Sequence, residues 1–173
     1  MYRFLVADDH PLFRDALRQV IEEHWADSDI IEVNDIEKTK EIAQTDNDID
    51  MVLLDLNMPD AEGFSGLLAL RNLAPLLPVV IVSAEENPEV IQRALTCGAL
   101  GFIPKSSTKE RIGDAIGAVL SGKSFVPPEL AEAIEEKRKM DHELKEKAAL
   151  LSPAELGVLQ LLTLGKPNKI IAY

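Results

Sequence analysis

Two runs, DMVLLDL at 50–56 and PVVIVSA at 78–84, constrain this chain more than any other feature. Both are apolar at nearly every position, not at every second one. An alternating run leaves one face to water, whereas a continuous one belongs to a strand covered on both faces. Three shorter runs, YRFLVA at 2–7, IIEV at 30–33 and GFIP at 101–104, read as further strands. Between them lie segments with helical signals. In 11–23, Leu12, Phe13, Ala16, Leu17, Val20 and Ile21 recur at helical spacing behind Pro11, which suits a first helical position. Residues 35–45 and 63–73 follow as helices, and Asn87-Pro88 opens another that Gly98 stops. Ser107 and Glu110 have the spacing of a capping box before a last helix to about Leu120. Five strands alternate with five helices, which predicts an α/β fold: a five-stranded, parallel, doubly wound sheet.

After this unit, SGKSFVPP at 121–128 reads as turn and linker, and residues 128–151 form a charged helix. Leu130, Leu144 and Leu151 sit on a seven-residue grid that Lys137 interrupts, so a solvated linker helix is favoured over a coiled coil. A helical pattern restarts at Ser152 and Pro153 and reaches Gly165, with a second helix opening near Pro167 or Asn168. The expected division is 1–121, 122–150 and 151–173, the last a partial all-α segment.

The net charge of −12 argues against binding nucleic acid through the whole surface, because phosphate contacts need clustered Lys and Arg. It leaves room for a small DNA-binding module and suits a site that gathers carboxylates around a metal ion. No apolar run approaches the ~20 residues of a membrane helix, and the N-terminus lacks the features of a signal peptide. Cys97 is the single cysteine. With no targeting segment, this favours the cytoplasm.

In a doubly wound sheet, ligands sit beyond the carboxyl ends of the strands. Asp8 and Asp9 end the first predicted strand, Asp55 the third and Ser83 the fourth, and Lys105 follows the fifth. Any one alone has a plain reading: an Asp there is often the N-cap of the next helix, and a Lys is usually solvated. Jointly they describe a cleft. Converging carboxylates repel one another and call for a cation. A hard ion such as Mg²⁺ takes carboxylates, waters and phosphate oxygens. Lys105 and the Ser83 hydroxyl could then meet an anionic phosphoryl group. His10, His24 and His142 show no metal-ligand spacing, which assigns all three to the structure or the surface.

The segments ADDHPLFR, VLLDLNMPD, VIVSA and GFIPKS together resemble the receiver domain of bacterial two-component response regulators, over residues 1 to about 121. The resemblance implies that Asp55 accepts a phosphoryl group from a partner sensor histidine kinase. It implies Mg²⁺ (or Mn²⁺) held by Asp9 directly, by Asp8 mostly through water, by Asp55 and by the backbone carbonyl of Asn57. It assigns Lys105 to the phosphoryl group, Ser83 and Phe102 to the switch, and Asn57 and Glu85 to tuning hydrolysis. The protein would be no turnover enzyme. One departure stands out: Pro104 precedes the lysine and Ser106 follows it, where many receivers have Pro directly after. That puts in doubt a cis peptide after Lys105.

LSPAELGVLQLLTLGKPNKIIA resembles the start of a LuxR/NarL-type helix-turn-helix output domain, without its recognition helix. Residues 152–173 carry only Lys166, Lys169 and Glu155, a weak footprint for DNA. The expectation is a piece of a longer transcription factor, contacting DNA only through the part not included, with a homodimer possible and no membrane partner. The rival is a receiver-only module that signals by phosphorylation-dependent docking or dimerisation. A metal-dependent phosphatase ranks lower, because such enzymes need an Asp two residues after the nucleophile and Asn57 stands there.

Overall fold

The computed structural model describes residues 1–150. The described residues fall into two units, Met1–Ala131 and a second that begins at Glu132. The first holds five strands, β1 (Arg3–Ala7), β2 (Asp29–Val33), β3 (Met51–Asp55), β4 (Val79–Ser83) and β5 (Gly101–Pro104). They alternate with α1 (Pro11–His24), α2 (Ile36–Thr45), α3 (Ser65–Leu73), α4 (Pro88–Thr96) and α5 (Lys109–Leu120). All pairings are parallel, in the order β2-β1-β3-β4-β5. The order reverses beside β1, so the crevice of this sheet opens between the carboxyl ends of β1 and β3.

The apolar runs behave as their composition demands. Every residue of β3 and β4 is buried. Phe4, Val6, Met51, Leu53, Val80, Val82 and Ile103 pack with Leu17, Val20 and Ile21 of α1 and with Ile112, Ala115, Ile116 and Val119 of α5. The intervening residues Leu5, Val52, Leu54, Ile81 and Phe102 are equally buried. Successive strand side chains point to opposite faces, so these form a second core layer on the other side of the sheet.

Several ends differ from the expectation. The N-cap of α5 is Thr108, not Ser107: its extended backbone lets Oγ1 accept the Arg111 N–H. Helix α3 starts at Ser65 because Gly63 adopts φ +55°, outside helical space. Asp8 and Asp9 do not cap α1; His10 occupies that position and makes no side-chain cap. Asp60, past the end of β3, ties that loop to α2: its Oδ2 accepts the N–H of Ile36, the first residue of the helix, at 2.8 Å.

The segment after α5 is also more than a turn. Phe125 forms a parallel bridge with Gly101. Its N–H donates to Leu100 and its carbonyl accepts from Phe102, at 3.0 Å each. This covers the free edge of β5 with one further strand residue. Helix α6 (Pro128–Ala149) begins here, with Glu129 paired to Arg111. The charged run is therefore helical as expected. The helix-turn-helix resemblance at 151–173 lies outside the described residues.

Candidate functional site

Burial of β3 fixes the place of Asp55. The residue ends the strand with 1% of its surface exposed, one of four buried polar residues among those described. Asp8, just past β1, is equally buried. Parallel pairing of β1 with β3 sets Ala7 against Leu54, so the two carboxylates leave the sheet at the same edge. Lys105 follows β5, held by its N–H to the Ser83 carbonyl at 2.8 Å. Its Nζ lies 2.7 Å from Asp8 Oδ2 and 2.8 Å from Asp55 Oδ2. The lysine is only 14% exposed, so this is a largely desolvated ion cluster rather than a surface bridge. The Phe13 ring stands 5.0 Å from Nζ, where a cation is favoured.

Asp9 is less deep, with 27% of its side chain exposed. One oxygen or nitrogen each from Asp8, Asp9, His10 and Asp55 falls within 4.8 Å of the others. Asp8 Oδ2 and Asp9 Oδ1 are buried and lack hydrogen bonds. The close approach of Lys105 to Asp8 Oδ2 is an ion pair without hydrogen-bond geometry. Bare carboxylate oxygens facing one another are what an oxygen-seeking cation needs.

The other expected residues line the same edge. The backbone N–H of Asn57 donates to Asp55 Oδ1 at 3.0 Å, while its side chain is exposed. Ser83 is fully buried at the end of β4, and its Oγ accepts the Glu85 N–H at 3.1 Å. Glu85 itself is exposed. Phe102 is fully buried in β5, so its ring is already inside the protein. No described peptide is cis, so the bond after Lys105 is trans.

Two residues escaped the sequence reading. His10 is a member of the cluster, its Nδ1 2.8 Å from Asp9 Oδ1 and 3.5 Å from Asp55 Oδ2. A search for a second His or Cys nearby could not find it, because its partners are carboxylates, one of them brought in by the sheet. Arg14 donates through Nη1 to the Asp8 carbonyl at 2.6 Å and meets Glu32 at 3.3 Å. It braces the β1–α1 turn from one helical turn away. A groove of about 450 Å³ between the C-terminal ends of α2 and α3 contains Asp46 as its only ionisable lining residue and offers no comparable chemistry.

The family model of the response regulator receiver domain matches residues 4–117. The chain belongs to that receiver family. It is 41% identical over 178 residues to the glycerol metabolism activator of Pseudomonas putida, covering all of this chain and 80% of that protein. It is 30% identical over 183 residues to the putative positive transcription regulator BvgA of Bordetella pertussis, covering 98% of this chain and 80% of that protein. Among solved structures, a LuxR family DNA-binding response regulator from Silicibacter pomeroyi matches with TM-score 0.66 and 29% identity, over 75% of this chain and 99% of that one. The receiver domain of the putative regulator NarL from Mycobacterium tuberculosis matches with TM-score 0.63 and 30% identity, over 70% and 98%. This receiver is thus a two-component response regulator with LuxR-type transcriptional regulators as relatives. Its family consists of regulators, not metabolic enzymes. No described helix is long and apolar enough to cross a membrane.

Proposed function

We propose that Asp55 is the phosphoryl acceptor, and that a sensor histidine kinase supplies the group from a phosphohistidine. The observation that carries this is the placement of Asp55: buried, at the crevice of the sheet, 2.8 Å from the Lys105 ammonium. An Asp55 oxygen attacks phosphorus, the bond to the histidine nitrogen breaks, and an acyl phosphate results. Lys105 is placed to neutralise charge on the transferring oxygens. The bare oxygens of Asp8 and Asp9, with Asp55 and the Asn57 carbonyl, would hold Mg²⁺ or Mn²⁺. When bound, such an ion stabilises phosphoryl charge in transfer and in hydrolysis.

Ser83 follows a phosphoryl oxygen through its hydroxyl, and Phe102 answers its movement. Both are fully buried on neighbouring strands, so a shift of one is felt by the other. Asn57 and Glu85, both exposed at the rim, orient water and keep the phosphoryl state transient. The chain acts as a switch that dephosphorylates itself rather than as a turnover enzyme. Its output is transcriptional, with DNA contacted only through the part of the output domain that carries the recognition helix and a second copy of the chain as a candidate partner. The cytoplasm is the compartment this reading favours, since a single cysteine forms no internal disulfide.

The experiment mixes the chain with Mg²⁺ and acetyl phosphate or beryllofluoride, and reads mass and oligomeric state for the wild type and Asp55→Ala. A phosphoryl mass gained by the wild type alone is the expected result. A wild type that neither gains the group nor binds the mimic overturns the proposal.

A further inference from the structure

His10 lies at the rim of the carboxylate cluster, and its ring has contacts that no single protonation pattern satisfies. Its Nδ1 is 3.2 Å from Lys105 Nζ, a group with donors only. The same atom is 3.2 Å from Asp8 Oδ1, a carboxylate oxygen. The first contact needs a lone pair on Nδ1; the second needs a hydrogen. Asp9 Oδ1 comes closer still, 2.8 Å, yet this oxygen has no hydrogen bond. With a lone pair on Nδ1, this atom stands beside the unbonded Asp9 Oδ1 and beside Asp8, whose Oδ1 accepts the His10 N–H and whose Oδ2 pairs with Lys105. A divalent cation there would meet the Nδ1 lone pair and the carboxylate oxygens at once.

The spacings suit such an ion. Ligand atoms at about 2.1 Å from an octahedral ion stand about 3 Å apart when adjacent. Nδ1 lies 2.8, 3.2 and 3.5 Å from oxygens of Asp9, Asp8 and Asp55 respectively. The ring is also held in place by its own backbone. The His10 N–H donates to Asp8 Oδ1 at 2.7 Å. The His10 carbonyl accepts from Phe13 and Arg14, at 3.1 Å each. Pro11 follows it and starts the helix. Neither other histidine shares this setting: His24 bonds the Val20 carbonyl, and His142 pairs with Glu146 on α6.

We infer that His10 is a nitrogen ligand of the same metal centre, through Nδ1. This deepens the proposed function and rests on its reading of the cluster as a cation site. The consequence is selectivity. An all-oxygen site suits Mg²⁺, whereas imidazole favours later first-row ions such as Co²⁺ and Ni²⁺. The centre is a mixed nitrogen–oxygen site, and its loading responds to those ions as well as to Mg²⁺.

The test titrates the full chain with Ni²⁺, Co²⁺ and Mg²⁺ separately, by calorimetry, for the wild type, His10→Ala and His10→Gln. The visible spectrum of the Co²⁺ form is recorded in parallel. The His10 side chain is 60% exposed, so both variants keep the fold. The expected result is an affinity for Ni²⁺ and Co²⁺ lowered about tenfold or more in both variants, with a changed Co²⁺ spectrum, while Mg²⁺ binding moves much less. An equal loss for all three ions makes His10 a shaping residue and overturns the inference. Unchanged Ni²⁺ affinity with an unchanged Co²⁺ spectrum overturns it too; in either case Mg²⁺ binding by the wild type leaves the proposed function standing. A wild type that binds none of the three ions removes the metal centre itself, and the ligand role with it.

Discussion

Replacing Asp55 with asparagine should make the metal-free protein more stable, although it removes one half of a buried ion pair. The Asp55–Lys105 contact is 2.8 Å, worth about 6 kcal/mol at an effective dielectric constant of ~20. Against it stand two like charges. Ligand oxygens of Asp8 and Asp9 lie within 4.8 Å of that of Asp55, so each repels it by at least about 3.5 kcal/mol on the same scale. The repulsions together slightly exceed the attraction, and desolvation of a residue only 1% exposed tips the balance further. Lys105 keeps Asp8 as its partner at 2.7 Å, so the substitution leaves no orphaned ammonium. Asparagine keeps the shape and can still accept the Asn57 N–H. The expected gain is about 1 kcal/mol, the surplus of the two repulsions over the attraction on that scale. Urea unfolding with a chelator present measures it. Adding Mg²⁺ should then reverse the order, because a ligand at ~100 times its Kd stabilises the wild type by about 2.7 kcal/mol and the variant binds it less. An Asp55→Asn variant less stable than the wild type by about 1 kcal/mol or more in chelator would refute the reasoning, since Lys105 would then outweigh the repulsion.

Lys105→Met leaves Asp8 and Asp55 buried without a counter-charge, and a loss of about 3–5 kcal/mol in urea unfolding is expected, partly recovered by Mg²⁺. Asp60→Ala removes the acceptor for the Ile36 N–H and should cost about 1 kcal/mol, with hydrogen exchange quickening first in α2. Gly113→Ala places a Cβ 2.6 Å from His24 Nε2, so the ring must leave its hydrogen bond to the Val20 carbonyl, and a loss of about 1 kcal/mol in thermal unfolding is expected. The hydrogen bonds from Arg111 hold the Glu129 carboxyl below its usual range. A depressed folded value means that this contact supports the fold above the unfolded carboxylate range and is lost as pH falls through the folded value. Glu129→Gln should therefore lower stability slightly at neutral pH, as befits an exposed pair, and not at all in strong acid, which flattens the acid limb of the stability profile.

The sequence alone determined the sheet and the edge where chemistry sits. Continuous apolar runs can be satisfied only between two layers, and a parallel sheet so covered offers one functional edge. Asp8, Asp9, Asp55, Ser83 and Lys105 were legible because each ends or follows a strand, and strand ends are set by local composition. Helix ends were less legible. Thr108 displaced Ser107 as cap because the chain's exit from β5, not spacing, decides which residue is extended there. Tertiary structure alone decided the contacts that cross from one strand to another. His10 neighbours Asp8 and Asp9 in the chain, but its ring meets Asp55, at 3.5 Å, only because β1 pairs with β3. Asp60 likewise gained its partner, the Ile36 N–H 24 residues away, only when the β3–α3 loop met α2. Phe125 read as linker because a single residue added to a sheet edge leaves no periodic signal. Composition and periodicity act over a few residues, whereas ion clusters and edge bridges depend on distances that exist only after the sheet has closed.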